Sequence, residues 1–420
     1  MRLERHLIAT FMCLIYYSCV QARTSNAHAI GDSMPSRLEC PDSSLAFNRL
    51  WVTMDSVRTN DSGELTILYI GGSHVQGGWI GHEMRRSLAA WAPHAGLSRG
   101  MQLPYRIAQT NTPTHFRTQM DGQWKANRCT RASEKERCEA LPIATGIVAY
   151  PSDTVSIQHV SYLPDSTRTA CSSIEIWTNA NRSQWRWTGN ATLNTCSPLP
   201  GRLGWQLEFD APADTLALTF ISPQSADVWY AGMNCRNKST TAHIAFHEWG
   251  HNGLRIRQAA VQSGWTNLLQ RIQPDLIFIG IGLNDAVDGE QLNLANFGAH
   301  YTMLTDVLIA SGAAIVLLGN TPATHRNVSL ADPNASIGTW LSQHGKANGM
   351  AYLDLTTALG GARITSGWID NERMQTDGMH FTAGGYQTIA SILFEAWMDA
   401  YSNAQKAPLL NRATEVKQAQ

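Results

Sequence analysis

Three short stretches of this chain carry residues able to act together in acyl chemistry. Ser73 sits in Gly71-Gly72-Ser73-His74, directly after the apolar run Leu65 to Ile70. Two glycines there permit a tight turn with the backbone close to a substrate. A serine opening a helix lies where free N–H groups favour a developing negative charge. Asn284, in Gly282-Leu283-Asn284-Asp285, follows the apolar run Asp275 to Ile281. A side-chain amide at such a point can donate to an oxyanion. Asp377-Gly378-Met379-His380 places an acid three residues before a base. On one turn, residues three apart share a face. Asp377 can then fix the imidazole tautomer of His380 while its other nitrogen faces a hydroxyl. Each stretch alone has a plainer reading. Ser73 is then an N-cap, Asn284 or Asp285 caps the next helix, and Asp377 with His380 is a surface ion pair.

The elements that must position these residues read as α/β. Leu65–Ile70, Asp275–Ile281, Ala313–Leu318 and Met350–Leu355 are apolar runs of strand length. Trp79–Trp91, Asn293–Ala310 and Thr382 to about Ala400 have apolar residues at helical spacing. Strand–helix alternation predicts a mostly parallel sheet with helices on both faces. In such a sheet ligands bind beyond the carboxyl ends of the strands, where Ser73 and Asn284 fall. Between about residues 113 and 241 the texture changes to short alternating runs: 154–160, 173–178, 184–187, 204–209, 215–221 and 227–230. That stretch is expected to be an all-β, sandwich-like insert. The expected organisation is a signal peptide over 1–29, a first α/β part over 40–112, the insert over 113–241, a second α/β part over 242–403 and a flexible tail over 404–420.

Ser, Gly, Asn and His–Asp, in that order at strand ends, resemble the four blocks of the SGNH (GDSL-like) hydrolase family. The resemblance implies a three-layer α/β/α fold interrupted by the all-β insert. It makes Ser73 the nucleophile, with His380 and Asp377 completing the triad. It also makes Gly250-His251-Asn252-Gly253 the second block. The oxyanion hole would then be the N–H groups of Ser73 and Gly253 with the Asn284 side chain. This chain departs from the usual Gly-Asp-Ser-Leu first block by having Gly72 for the Asp and His74 for the Leu. The Asp is no triad member, and His74 is not expected to be the base. Gly31-Asp32-Ser33-Met34 matches the motif better as text, but no apolar strand precedes Ser33. The implied reaction is acyl transfer to water through an acyl-enzyme. It needs no metal and no organic cofactor.

Bulk features agree with export. The 420 residues suffice for two domains, and 43% hydrophobic with 15% charged residues is a globular composition. Lys plus Arg, at 32, nearly balance Asp plus Glu, at 33, so no nucleic-acid partner is expected. Arg2, Arg5 and His6 precede an apolar run, Leu7 to Cys19, and small residues follow. This is the pattern of a secretory signal, with lipid attachment at Cys19 a weaker variant, so the location is read as periplasmic or secreted. No segment after the signal is expected to cross a membrane, and the protein is expected to act as a monomer. Cys40, Cys129, Cys138, Cys171, Cys196 and Cys235 then remain, an even number. Proximity in sequence suggests the pairs 129–138 and 171–196, leaving 40–235.

An SGNH domain split by a β-sandwich between its first two blocks is similar to some bacterial peptidoglycan O-acetylesterases. The expected substrate is therefore an O-acetylated polysaccharide of the cell wall or extracellular space. Within the insert, Trp185 and Trp187 share one strand face, with Arg182 and Arg186 adjacent, and are the candidate exposed sugar-stacking pair. Gln76-Gly77-Gly78 suggests an open polar rim beside Ser73, against a lipase-like lid. An O-acetyltransferase using the same triad is the alternative within acyl chemistry. A non-catalytic carbohydrate-binding protein is the alternative outside it.

Overall fold

The computed structural model describes residues 37–41, 44–59, 62–221, 228–237 and 240–406. The expected signal peptide, Cys13, Cys19, Ser33 and the tail beyond Lys406 lie outside these residues.

A six-stranded sheet organises the molecule. Its order is Ala351–Leu353, Ala314–Leu318, Leu276–Gly280, Gly63–Gly71, Ala242–Gly250, Gly96–Ser98, and each neighbouring pair is parallel. Gly63–Gly71 is central, and its seven residues from Leu65 to Gly71 are all buried. Successive side chains of a strand point to opposite faces. Here both faces are apolar, so the strands read as continuous hydrophobic runs. Leu65, Ile67 and Tyr69 enter one core, with helices Leu45–Thr59, Trp79–Trp91 and Ala383–Lys406. Leu68 and Ile70 enter the other, with helices Trp265–Ile272, Leu294–Ile309 and Ala331–Ala347. Helix Trp79–Trp91 falls where its periodicity predicts. Helix Leu45–Thr59 is additional, although its buried Phe47, Leu50, Trp51, Met54 and Val57 do follow helical spacing.

Two antiparallel sheets lie between the first and second halves of this layer in the chain. One has seven strands, ordered Leu193–Pro198, Gly204–Ala213, Cys171–Thr178, Tyr230–Arg236, Ile147–Pro151, Trp124–Arg128, with Met101–Gln102 beside Tyr230–Arg236. The other has four, ordered Phe116–Asp121, Val155–Ser161, Leu216–Phe220, Trp185–Trp187. A separate apolar core that includes Ile157, Ile174, Ile176, Leu218 and Phe220 binds these sheets into a β-module. The expected runs at 154–160, 173–178, 184–187, 204–209 and 215–221 match strands. The run placed at 227–230 does not, because the strand is Tyr230–Arg236.

The module docks on the second face of the parallel layer. Trp177 and Ile147 join that core. Buried Glu175 accepts from Arg271 of helix Trp265–Ile272 at 2.6 and 3.1 Å, and Trp249 Nε1 donates to Ala144 O at 2.8 Å.

Two expectations for the module need correction. Cys171 is bonded to Cys235, 64 residues away, and Cys40, Cys129, Cys138 and Cys196 are free thiols. Neither the 171–196 nor the 40–235 pair forms, and Cys129 and Cys138 are buried without a bond between them. Pairing of strands Cys171–Thr178 and Tyr230–Arg236 brings the bonded cysteines together, which sequence proximity does not report. Trp185 and Trp187 do share a face, but it is the inner one. Trp185 is 1% exposed. Trp187 is half-buried, with its ring 4.7 Å from Phe209 and its Nε1 donating to Ala191 O at 2.8 Å. Arg186 takes the outward position between them. Neither ring forms the open platform expected for stacking a sugar.

Candidate active site

Strand Gly63–Gly71 ends in Gly72, and Ser73 opens the four-residue helix Ser73–Gln76. The turn is crowded. A Cβ on Gly71 would lie 2.5 Å from Val75 Cγ2, and one on Gly72 would lie 3.2 Å from Asn284 Nδ2. Glycine at 72 therefore lets the Asn284 amide approach the serine turn. Asn284 lies in helix Leu283–Ala286, just beyond strand Leu276–Gly280. Its Nδ2 donates to Leu254 O at 3.1 Å, and a primary amide carries a second N–H.

Leu254 closes the turn that begins at His251, its N–H donating to His251 O at 3.0 Å. Gly253 stands at the crest of this turn with φ +76°, exposed, with no atom within 4 Å of where a Cβ would project. An L side chain rarely adopts that backbone. His251 N donates to Gly71 O at 3.0 Å, which ties the turn to the end of the central strand.

His380 arrives from the far end of the chain. Its Nε2 lies 3.0 Å from Ser73 Oγ, and its Nδ1 lies 2.7 Å from Asp377 Oδ2. With Nδ1 protonated against the carboxylate, Nε2 is left to accept from the serine hydroxyl. Asp377 Oδ1 also accepts from the N–H groups of Met379 and His380, both at 2.9 Å. Partial burial pushes the Asp377 carboxyl upward, but these hydrogen bonds and the His380 ring outweigh it. The net effect holds the carboxyl below its ordinary value. Gly378, with φ +67°, makes the turn possible, and its N–H and C=O are both used. The N–H donates to Gln375 O, and the C=O accepts from Thr324 N at 2.8 Å.

His74 is no second base. Its ring is stacked 5.9 Å from that of His380 and packs edge-on to Phe381 and Tyr386. Burial, then the neighbouring His380 ring, pushes its pKa down to about 3, against a small opposing pull from Asp377. It is a neutral ring filling an aromatic pocket behind the triad. Gln76 overturns the expected polar rim. Its side chain is 1% exposed and points inward, and Gly78 is buried against Pro113. Among the described residues no His, Cys, Asp or Glu side chains gather in a group of three able to hold a metal ion.

Ser73, Gly253, Asn284, Asp377 and His380 thus meet at the carboxyl end of the sheet. A hydroxyl hydrogen-bonded to an imidazole that a carboxylate orients, with N–H donors close by, is an arrangement able to carry acyl transfer. Residues 222–388 match the GDSL-like Lipase/Acylhydrolase family. That stretch is similar to GDSL-like acylhydrolases. The matched span contains Gly253, Asn284, Asp377 and His380, while Ser73 lies ahead of it. No curated protein matches the chain. Among solved structures, a peptidoglycan O-acetylesterase superposes with a TM-score of 0.66 at 18% identity, covering 86% of this chain and 97% of that one. An acetyl xylan esterase gives 0.30 at 17% identity, over 37% and 81%. A GDSL-like lipase from Bacteroides thetaiotaomicron gives 0.31 at 17% identity, over 38% and 77%. The first likeness shows that the acylhydrolase layer and its added antiparallel sheets form a shared fold.

Proposed function

We propose that this protein is an exported serine esterase that removes O-acetyl groups from a cell-wall or extracellular polysaccharide, with peptidoglycan the foremost candidate. The observation that carries the reading is the linked set Asp377–His380–Ser73 facing the exposed Gly253 turn and the Asn284 amide. In this reading His380 Nε2 takes the Ser73 proton as Oγ attacks the ester carbonyl. The oxyanion is held by the N–H groups of Ser73 and Gly253 and the second N–H of Asn284. His380 then passes that proton to the departing sugar oxygen as the acyl C–O bond breaks, leaving acetyl on Ser73. Water, activated by the same nitrogen, releases acetate.

Three further observations support the substrate and the location. A solved structure with a similar overall fold is that of a peptidoglycan O-acetylesterase. The Cys171–Cys235 disulfide suits an oxidising compartment. Among the described residues no helix is long and apolar enough to cross a membrane. The division of the chain into a signal segment, a split hydrolase domain and a β-module over roughly 113–241 belongs to the same proposal.

The test is acetate release by the purified protein from O-acetylated peptidoglycan and from an aryl acetate, with Ser73→Ala in parallel. Release that vanishes in the variant is the expected result. Transfer of acetyl to added sugar, with no net acetate, would mark an acetyltransferase instead. A folded protein that binds glycan and releases nothing from either ester would overturn the catalytic reading.

A further inference from the structure

Gln76 ends the nucleophile helix, yet it faces away from the cleft into a fully buried site. Its amide has one acceptor and two donor positions, and all are used. Oε1 accepts from Asn252 N at 2.6 Å. Nε2 donates to Asn111 O at 2.6 Å and to Thr110 Oγ1 at 2.9 Å. Asn252 Nδ2 adds a longer contact to Thr110 Oγ1 at 3.4 Å. The amide can sit only one way round. Reversed, it would set oxygen against the Asn111 carbonyl and N–H against the Asn252 N–H.

This amide joins three segments that are distant in sequence. One is the helix carrying Ser73. The second is the His251–Leu254 turn that presents Gly253. The third is Thr110–Asn111, shortly before the module strand Phe116–Asp121. Backbones also meet here, since a Cβ on Gly250 would lie 2.3 Å from Gln76 N. On its other side the turn is wedged by His251, whose ring stands edge-on to Trp249 at 4.3 Å and presses on Gly146 of the module. Gly253 itself touches nothing through a side chain. Its N–H goes where its neighbours put it.

We propose that Gln76 is the positioning residue of the oxyanion turn, fixing Gly253 relative to Ser73 and making the β-module's first connection part of that support. The inference rests on the esterase reading for its catalytic consequence, though not for its structural one. Oxyanion donors act on the transition state and hardly on bound substrate. A displaced turn therefore lowers kcat and leaves KM nearly alone.

Two variants test it. Gln76→Met keeps the shape and loses every hydrogen bond. Its kcat on an aryl acetate should fall about tenfold to a hundredfold, with KM within about threefold. Gln76→Glu keeps the shape and makes the support titratable. A protonated carboxyl can accept from Asn252 N and donate to Asn111 O, while an ionised one faces that carbonyl. Activity relative to the parent should therefore be higher at pH 6 than at pH 9. A residue that only fills space would be replaced by Met without loss and would add no ionisation. Hydrogen exchange gives a readout independent of activity: the Asn252 amide should exchange at least about tenfold faster in Gln76→Met. If the parent releases no acetate from any ester, the esterase reading fails and the exchange result alone decides the structural claim. If the parent is active, a kcat within threefold in Gln76→Met, or unchanged Asn252 exchange, overturns the proposal.

Discussion

The parallel layer and the β-module bury residues for different ends. In the layer, strands stop in glycine turns, and polar groups gather just beyond them: Ser73 after Gly71-Gly72, Gly253 after Gly250, Asn284 after Gly282. Two of its carboxyls, Asp285 buried and Asp275 partly so, have no cation bonded to them. Desolvation pushes Asp285 up to about 7 and Asp275 up to about 6, against hydrogen bonds from Ile256 N and Thr66 N. In the module, some buried polar groups have side-chain partners, while others, such as Ser173 Oγ and the Asn234 amide, have none within hydrogen-bond reach. Glu175 has Arg271, and His159 lies 3.0 Å from Thr118 Oγ1 and 3.1 Å from Tyr230 OH. The layer keeps one such carboxyl, Asp285, beside Asn284, while Asp275 stands at the opposite, amino end of strand Leu276–Gly280; the module uses its residues for packing, one disulfide and docking.

That contrast can be broken first at the triad. His380→Ala should cut kcat for acetyl ester hydrolysis by on the order of 10⁵ or more, with an unchanged circular dichroism spectrum. Any comparable loss from a module residue that leaves the fold intact would erase the division of labour. Trp185→Ala is the reciprocal experiment. As a buried core ring it should cost about 3–5 kcal/mol in urea unfolding, while KM for a soluble glycan ester stays put. A selective rise in KM with full stability would restore Trp185 as a sugar contact. Asn284→Ala sharpens the layer's side. It should lower kcat about a hundredfold to a thousandfold, and little of that should appear in KM.

The smallest effect concerns the buried carboxyls. Asp285 has a folded-state pKa of about 7, above the value of about 3.9 expected when unfolded. Between those values the folded chain binds more protons than the unfolded one. Its contribution is full below the unfolded pKa and is lost as pH rises through about 7. Stability should therefore decline from pH 4 to pH 7 by more than Asp285→Asn does, since an Asn oxygen still accepts from Ile256 N. Parallel pH curves for the two proteins would show that Asp285 is ionised throughout.

Legibility in the sequence follows the same division. Strands buried on both faces, such as Leu65–Ile70 and Asp275–Ile281, stand out because no charged residue interrupts their interior. Their glycine ends locate Ser73 and Asn284, and Asp377-Gly378-Met379-His380 is compact enough to see whole. Module strands are harder. Phe116–Asp121, Trp124–Arg128 and Leu193–Pro198 are largely polar and partly exposed. Tyr230–Arg236 contains Gly232 and Asn234, which read as turn residues although both are buried. Arginines beside Trp185 suggest an exposed face, when alternation puts Arg186 out and both rings in. Gln76 looks like a rim residue because its three partners come from segments that only the fold brings together.

The central strand also sets an order of events. Ser73 and His380 are 307 residues apart, and strand Gly63–Gly71 is paired on both sides by strands made much later, Ala242–Gly250 and Leu276–Gly280. A ribosome adding about 5–20 residues per second takes roughly 15 to 60 s to cover that separation. Until His380 is made Ser73 lacks its imidazole partner, and the strand that carries it has no neighbour until Ala242–Gly250 is made. The chain is therefore built with its parts apart: Ser73 meets His380 only late in synthesis, and the central strand waits unpaired until the sheet closes around it.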